Sequence, residues 1–273
     1  MGHGIAQVAA LAGFQVVLHE PELEALTQGM ARIHESLEKG VALGKVSAGA
    51  REEALSRITG HTGLEVAVRE AELVVEAIPE ELKLKREVFR RVEEVAPQGV
   101  VLASNTSSLS IGEMAGVLRH PRQLLGLHFF NPVPVMKLVE VVWGPETAPE
   151  VTELGVAVAR ALGKEPIVVK DSPGFASSRL GVALGLEAMR MVEEGVASPD
   201  DIDRAMELGY RHPMGPLRLT DLVGLDVRLG IAEYLHDRLG GEHFRPPEIL
   251  RRMVAEGRLG KKSGEGFYRW PEE

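Results

Sequence analysis

The sequence predicts a mostly parallel α/β sheet domain over residues 1–170, followed by an all-helical domain over 171–273. Three observations carry this. Short apolar runs alternate with amphipathic helical stretches as far as Lys170, the pattern of a parallel sheet covered on both faces. Beyond Lys170 the helical periodicity continues and strand-like runs all but stop. The length, 273 residues, suits about two domains of ~150 residues.

The elements follow in order. Gly2 to Ala12 reads as a helix of small residues ended by Gly13. Gln15–Glu20, "QVVLHE", is a short apolar strand ending in an acid. Pro21 to Glu38 is helical, with Pro21 suited to a first turn. A less regular stretch contains a helix near Ala50–Arg57. Ala71–Ile78 is a buried strand, and Glu81–Val95 an amphipathic helix with Leu82, Leu84, Val88, Phe89 and Val92 apolar. Gly99–Asn105, Gln123–Phe130 and Met136–Trp143 are further strands. A helix spans Pro149–Leu162, and Glu165–Lys170 is the last strand. "DSPGF" then reads as a helix start, with Asp171 or Ser172 as cap and Pro173 in the first turn. Helical patterns run on to about Arg252.

Composition excludes several classes of function. Charged residues make up 26% and the net charge is −9, so a broad nucleic-acid surface is not expected. No apolar run reaches the ~18 residues of a membrane span, and no signal-peptide pattern opens the chain. Cysteine is absent, which removes disulfides, thiolate catalysis and cysteine metal sites and fits a cytoplasmic compartment. Asparagine occurs only at positions 105 and 131. That scarcity suits a thermophilic source and draws attention to both positions.

Three stretches can carry chemistry. "MGHGIAQVAALAG" resembles the second half of a dinucleotide-binding fingerprint, which needs a strand, then G-x-G-x-x-G, then a helix. Gly2 stands where the third glycine would be. Glu20, eighteen residues on, is placed to hydrogen-bond the ribose hydroxyls of NAD; the plainer reading is a solvated charge at a strand end. "SNTSSLSI" sits at the carboxyl end of a strand, where open α/β sheets bind ligands. Asn105 and Ser107 are its functional candidates, and Ser108 or Ser110 suits a helix cap. In "GLHFFNPVPVMKLVEVV", His128 lies in one apolar strand and Glu140 in the next. A carboxylate on one ring nitrogen fixes the tautomer and leaves the other nitrogen to take a proton, which makes a general base. A core histidine with a satisfied partner is the plainer alternative. Asn131 follows His128 on a proline-flanked turn. No metal-ligand spacing stands out.

"SNTSSLSI", "GLHFFNPVPVMKLVEV", "DSPGF", "HPMGPLRLTDLVGLD" and "GKKSGEGFY" together resemble the 3-hydroxyacyl-CoA dehydrogenases, including bacterial 3-hydroxybutyryl-CoA dehydrogenases. The resemblance covers essentially the whole chain. It implies a Rossmann-like NAD-binding domain, an all-helical domain that supplies part of the acyl pocket, and a homodimer. The implied reaction is NAD-dependent oxidation of (S)-3-hydroxyacyl-CoA to 3-oxoacyl-CoA. His128 would take the 3-hydroxyl proton while hydride leaves C3. Glu140 would orient His128, Ser107 would bond the substrate oxygen, and Asn131 would line the nicotinamide side. Ala77, Glu80 and Lys85 match positions along the cofactor cleft, and Lys262 matches a cofactor-contacting lysine. Ser36 matches a CoA contact, and Lys45 would serve a CoA phosphate.

Two departures from the family stand out. Ser178 occupies the place of a family asparagine that holds the substrate's reacting end, so a weakened or reshaped site is expected there. The strand and first two glycines of the fingerprint do not precede Gly2. The expectation is that Met1 is an internal methionine and that the native polypeptide begins roughly two dozen residues earlier. The competing expectation is a genuine short form with impaired NAD binding. Two other functions stay open at this stage: a non-catalytic dimeric CoA-ester-binding homologue, and a sister dehydrogenase acting on an unesterified hydroxy acid or sugar acid.

Overall fold

The structure, a computed structural model, describes residues 1–271; the last two positions of the expected second domain lie outside the described residues. The chain divides into two compact units, Met1–Ser172 and a second starting at Pro173.

The first unit runs α1 (Gly2–Leu11), β1 (Val16–His19), α2 (Leu23–Ala42), α3 (Ala48–Ser56), β2 (Ile58–His61), α4 (Leu64–Ala67), β3 (Leu73–Glu76) and α5 (Leu82–Val95). It continues β4 (Val101–Ser104), α6 (Ile111–Ala115), β5 (Leu124–Phe129), β6 (Leu138–Trp143), α7 (Pro149–Ala161) and β7 (Glu165–Lys170). Strands β3 to β7 form one sheet in sequence order, and β1 and β2 form a second, two-stranded sheet. All pairs are parallel except β5 with β6. The central strands β4 and β5 are buried along their whole length, which is why they read as unbroken apolar runs. At the edge, β7 is mostly exposed and tolerates Pro166.

Helix α1 joins the two sheets by packing. Ile5 and Val8 enter a core with Leu125, Leu127, Val139 and Val141. Ala6 and Ala10 enter another with Ile33, Leu37, Ala54 and Ile58. Small residues on α1 permit both approaches at once. Gly13, at φ +96°, stops the helix in a backbone conformation that glycine adopts without strain.

Three details differ from the sequence expectation. Strand β2 was not anticipated: of its four residues only Ile58 is buried, so "ITGH" shows no apolar pattern, and its pairing with β1 makes it a strand. Pro21 lies before α2 rather than in its first turn, because the helix starts at Leu23 with Glu22 as cap. "DSPGF" is not a helix start. Asp171 accepts from Ser110 Oγ at 2.7 Å and from Gly112 N at 2.8 Å, so it serves the start of α6. Gly174 and Phe175 then take positive φ, +73° and +50°, and this left-handed turn delays the next helix to Ser177.

The second unit holds α8 (Ser177–Glu193), α9 (Pro199–Tyr210), α10 (Pro216–Val223), α11 (Leu225–Leu239) and α12 (Glu248–Ala255). Its core is built from Val182, Leu186, Leu217, Leu235 and Leu250 among others. Buried Asp221 ties the last segment to α10, accepting from Phe267 N, Tyr268 N and Trp270 Nε1, each at 2.9 Å. Residue 266 must be glycine here, since a Cβ would fall 2.2 Å from the Asp221 carboxylate. Part of "GKKSGEGFY" is therefore architectural. No helix among the described residues is long and apolar enough to cross a membrane.

Candidate active site

The one antiparallel pair creates the central feature. In the β5–β6 register, His128 lies directly opposite Glu140. Both are buried, and Nδ1 stands 2.7 Å from Glu140 Oε2. A cross-strand pair inside a sheet has little rotamer freedom, so the sequence spacing of twelve becomes a fixed contact. With Glu140 ionised, the Nδ1 proton is donated to the carboxylate, and Nε2 becomes the basic nitrogen. The Phe130 ring packs 4.5 Å from the imidazole, centroid to centroid. Asn105 completes the cluster. Its Oδ1 accepts from Phe129 N at 2.8 Å, pinning β5 to the end of β4 next to His128.

The serine-rich loop after β4 is organised by Glu80. Its Oε1 accepts from Thr106 Oγ1 at 2.6 Å, Ser107 N at 2.9 Å and Ser107 Oγ at 3.2 Å. Ser108 N and Oγ add contacts at 3.2 and 3.3 Å. Burial alone would raise the Glu80 pKa. The Thr106 hydroxyl, the Lys85 charge and the Ser107 amide outweigh it and hold the carboxyl below its ordinary range. Ser110 caps α6 through Glu113 N, as one of the two serines expected to cap.

Lys85, expected along the cofactor cleft, is 1% exposed. Its ammonium bonds Glu76 Oε1 at 2.7 Å and Ile78 O at 3.2 Å, and Glu80 Oε2 lies at 3.4 Å. It is a strut behind Glu80. Glu76 in turn accepts from Ser104 Oγ at 2.6 Å. The sequence reading missed Glu76; an acid closing the apolar run "LVVE", with a lysine nine residues on, was the available signal.

The turn carrying Asn131 is exposed at its tip and held from two sides. Lys164 Nζ donates to Val133 O and, at 2.9 Å, to Met136 O. On the other side a Cβ at Gly4 would come within 3.0 Å of Val133, so α1 and the turn are in close contact. Lys164 is buried, and burial lowers its pKa. Nothing in the sequence marked it.

Gly2 opens α1, and a Cβ there would lie 3.8 Å from the Ala77 Cβ, so the helix begins beside the end of β3. Glu20 follows the end of β1 and is close enough for its charge to act on the Met1 amine, whose pKa burial lowers and Glu20 opposes. The start of α1 is thus flanked by the carboxyl ends of two strands, where dinucleotides bind in α/β sheets. A cavity of about 90 Å³ opens alongside, lined by His3, Gln7, Ser36 and Asn131 among others. Gln7 Oε1 is buried there with no hydrogen-bond partner, an acceptor left for a ligand's donor. These residues fit a dinucleotide.

Three further expected residues lie elsewhere in the sequence. Lys45 is exposed in the turn after α2. Ser178 is the second residue of α8 and half-buried. Lys262 pairs with Asp226 at 2.6 Å.

Comparison with known proteins gives the family. Residues 1–172 match the family model described as 3-hydroxyacyl-CoA dehydrogenase, NAD binding domain. Residues 174–270 match the C-terminal domain of the same family. The chain is 44% identical over 272 residues to the 3-hydroxybutyryl-CoA dehydrogenase of Mycobacterium tuberculosis, covering 98% of this chain and 94% of that one. It is 45% identical over 278 residues to human mitochondrial hydroxyacyl-coenzyme A dehydrogenase, covering 99% and 88%. The crystal structure of (S)-3-hydroxybutyryl-CoA dehydrogenase PaaH1 from Ralstonia eutropha superposes with a TM-score of 0.96 at 39% identity, covering 100% and 96%.

Proposed function

Because the chain belongs to the 3-hydroxyacyl-CoA dehydrogenase family, we propose that this NAD-dependent oxidoreductase oxidises (S)-3-hydroxyacyl-CoA to 3-oxoacyl-CoA, and runs the reverse reaction, with the His128–Glu140 pair as general base. The observation that carries the reading is the buried 2.7 Å contact between His128 Nδ1 and Glu140.

NAD, when bound, supplies the acceptor for the hydride that leaves C3. The chain's residues do the rest. His128 Nε2 takes the 3-hydroxyl proton, and the Glu140 carboxylate stabilises the imidazolium that forms. Ser107, held by Glu80, hydrogen-bonds the substrate oxygen. Asn131 lines the nicotinamide side from its clamped turn. Asn105 keeps β5 in place. Gly2, Glu20 and Ala77 hold the dinucleotide, Glu80 and Lys85 shape the adjoining wall, and Lys262 is a further cofactor contact. Ser36 and Lys45 serve CoA, and Ser178 takes the reacting end of the acyl group. A homodimer formed through the helical unit and a cytoplasmic location belong to the same reading.

The test is NADH oxidation with acetoacetyl-CoA. His128→Gln should lower kcat by about 10²- to 10⁴-fold and leave the Kd for NADH within about twofold. A variant as active as the parent removes His128 as the base.

A further inference from the structure

Glu76 closes strand β3, is 5% exposed, and takes no direct part in the proton and hydride transfers. Three donors converge on its two carboxylate oxygens. Oε1 accepts from Ile78 N and from Lys85 Nζ, each at 2.7 Å, and Oε2 accepts from Ser104 Oγ at 2.6 Å. Ser104 lies opposite Glu76 in the β3–β4 register. The main-chain oxygen of Glu76 also accepts from Asn105 N at 2.8 Å.

These bonds belong to a closed ring that reaches the serine-rich loop. Thr106 N donates to Ser104 Oγ at 3.2 Å, and Thr106 Oγ1 donates to Glu80 Oε1 at 2.6 Å. Lys85, between Glu80 Oε2 and Glu76 Oε1, closes it. Ser104, Thr106 and Lys85 are all buried, so each bond needs a donor facing an acceptor. A carboxylate only accepts. Glu76 therefore makes the Ser104 hydroxyl donate to it and leaves a Ser104 lone pair for the Thr106 amide. A glutamine here fails in either orientation. Its amide N–H₂ would face the Lys85 and Ile78 donors, or it would face Ser104 and leave the hydroxyl proton without an acceptor. A buried donor left unmatched is costly. The ring ends on Ser107, which follows Thr106 and gives both its amide and its hydroxyl to Glu80.

We propose that Glu76 is a positioning residue for the reaction. Acting through Ser104, Thr106, Lys85 and Glu80, it holds Ser107 in place against the substrate oxygen. The inference rests on the function proposed above, in which Ser107 bonds that oxygen.

The test is a double-mutant cycle on kcat/KM for acetoacetyl-CoA in the NADH assay, with Glu76→Gln, Ser107→Ala and both together in the full chain. Glu76→Gln alone should lower kcat/KM about tenfold, within the range for coupled members of one network. In the Ser107→Ala background the same change should cost about twofold or less, because the group it positions is gone. Ser104→Ala cuts one link of the ring and leaves the Glu76–Lys85 pair intact. It should lower kcat/KM about threefold by the same route, and it reads the same cycle if Glu76→Gln does not fold. A merely structural role lowers the folded fraction alike in both backgrounds, so an equal factor with and without Ser107 overturns the inference. A Glu76→Gln enzyme with the parent's kcat/KM overturns it too. A parent that does not turn over acetoacetyl-CoA overturns the dehydrogenase reading, and the part of Glu76 in it as well.

Discussion

Replacing Glu140 by glutamine isolates what the carboxylate adds to His128. The change preserves shape in a site that is 0% exposed and keeps one hydrogen bond across the 2.7 Å gap. If the amide oxygen faces Nδ1, the tautomer survives and only the charge is lost. A hydrogen bond to a charged group contributes about 1.5–3 kcal/mol, so the imidazolium formed in the transition state loses roughly that much, or about 10- to 150-fold in kcat. If the amide nitrogen faces Nδ1 instead, the ring proton moves to Nε2 and the base is lost; a tautomer error of this kind costs up to ~10⁴-fold in a comparable triad. Both cases act on kcat. Glu140 lies behind the histidine, so KM for acetoacetyl-CoA and the Kd for NADH should stay within about twofold. The assay is steady-state NADH oxidation, with NADH affinity from fluorescence titration and a melting temperature to confirm folding. A folded Glu140→Gln enzyme whose kcat falls less than about threefold refutes the charge-stabilisation argument. A loss confined to KM refutes it too.

Ser178→Asn places an amide where the sequence resemblance expects one; it should raise kcat about tenfold, within the range of a ~1–3 kcal/mol hydrogen bond, and a fall in rate counts against a weakened site. Glu80 gives a pH prediction. Its folded pKa lies below the ordinary value of 4.5, so the unfolded chain takes up this proton first as pH falls. Its contribution is therefore complete above about pH 4.5 and is lost as pH drops through the folded value. Melting temperatures between about pH 6 and pH 3 should show a shallower acid limb for Glu80→Gln than for the parent, and parallel limbs would rule this out. Glu80→Gln should also lower kcat/KM, because Ser107 loses an ionic acceptor for both its amide and its hydroxyl.

Much of this is legible in the sequence. The strands that read well, β4 and β5, are buried on both faces, so residue type alone announced them. The His128–Glu140 partnership was legible because each interrupts an apolar run and the two runs follow one another in the chain. What escaped the sequence depends on contacts distant in the chain. Strand β2 has one buried residue and exists through its neighbour. Asp171 looked like a local helix cap because its acceptor role is spent on Ser110 and Gly112, some sixty residues earlier. Lys164 carries a charge that pattern reading assigns to the surface, and Lys85 one that the resemblance assigns to the cofactor cleft. Only folding shows that carbonyls or carboxylates surround them.

The division of the sheet around α1 sets an order of opening. Strands β1 and β2 bond only to each other, four residues against four; α1 packs into the cores of both sheets, and α4 lies between β1 and α5. Amide hydrogen exchange should therefore separate two cooperative units. The amides of Val16–His19 and Ile58–His61 would exchange together and early, with α2 and α3. Those of β4 and β5 would wait for global unfolding. Helix α1, packed into both cores, would record the later of the two events: the slow unit's clock inside the fast unit's stretch of chain.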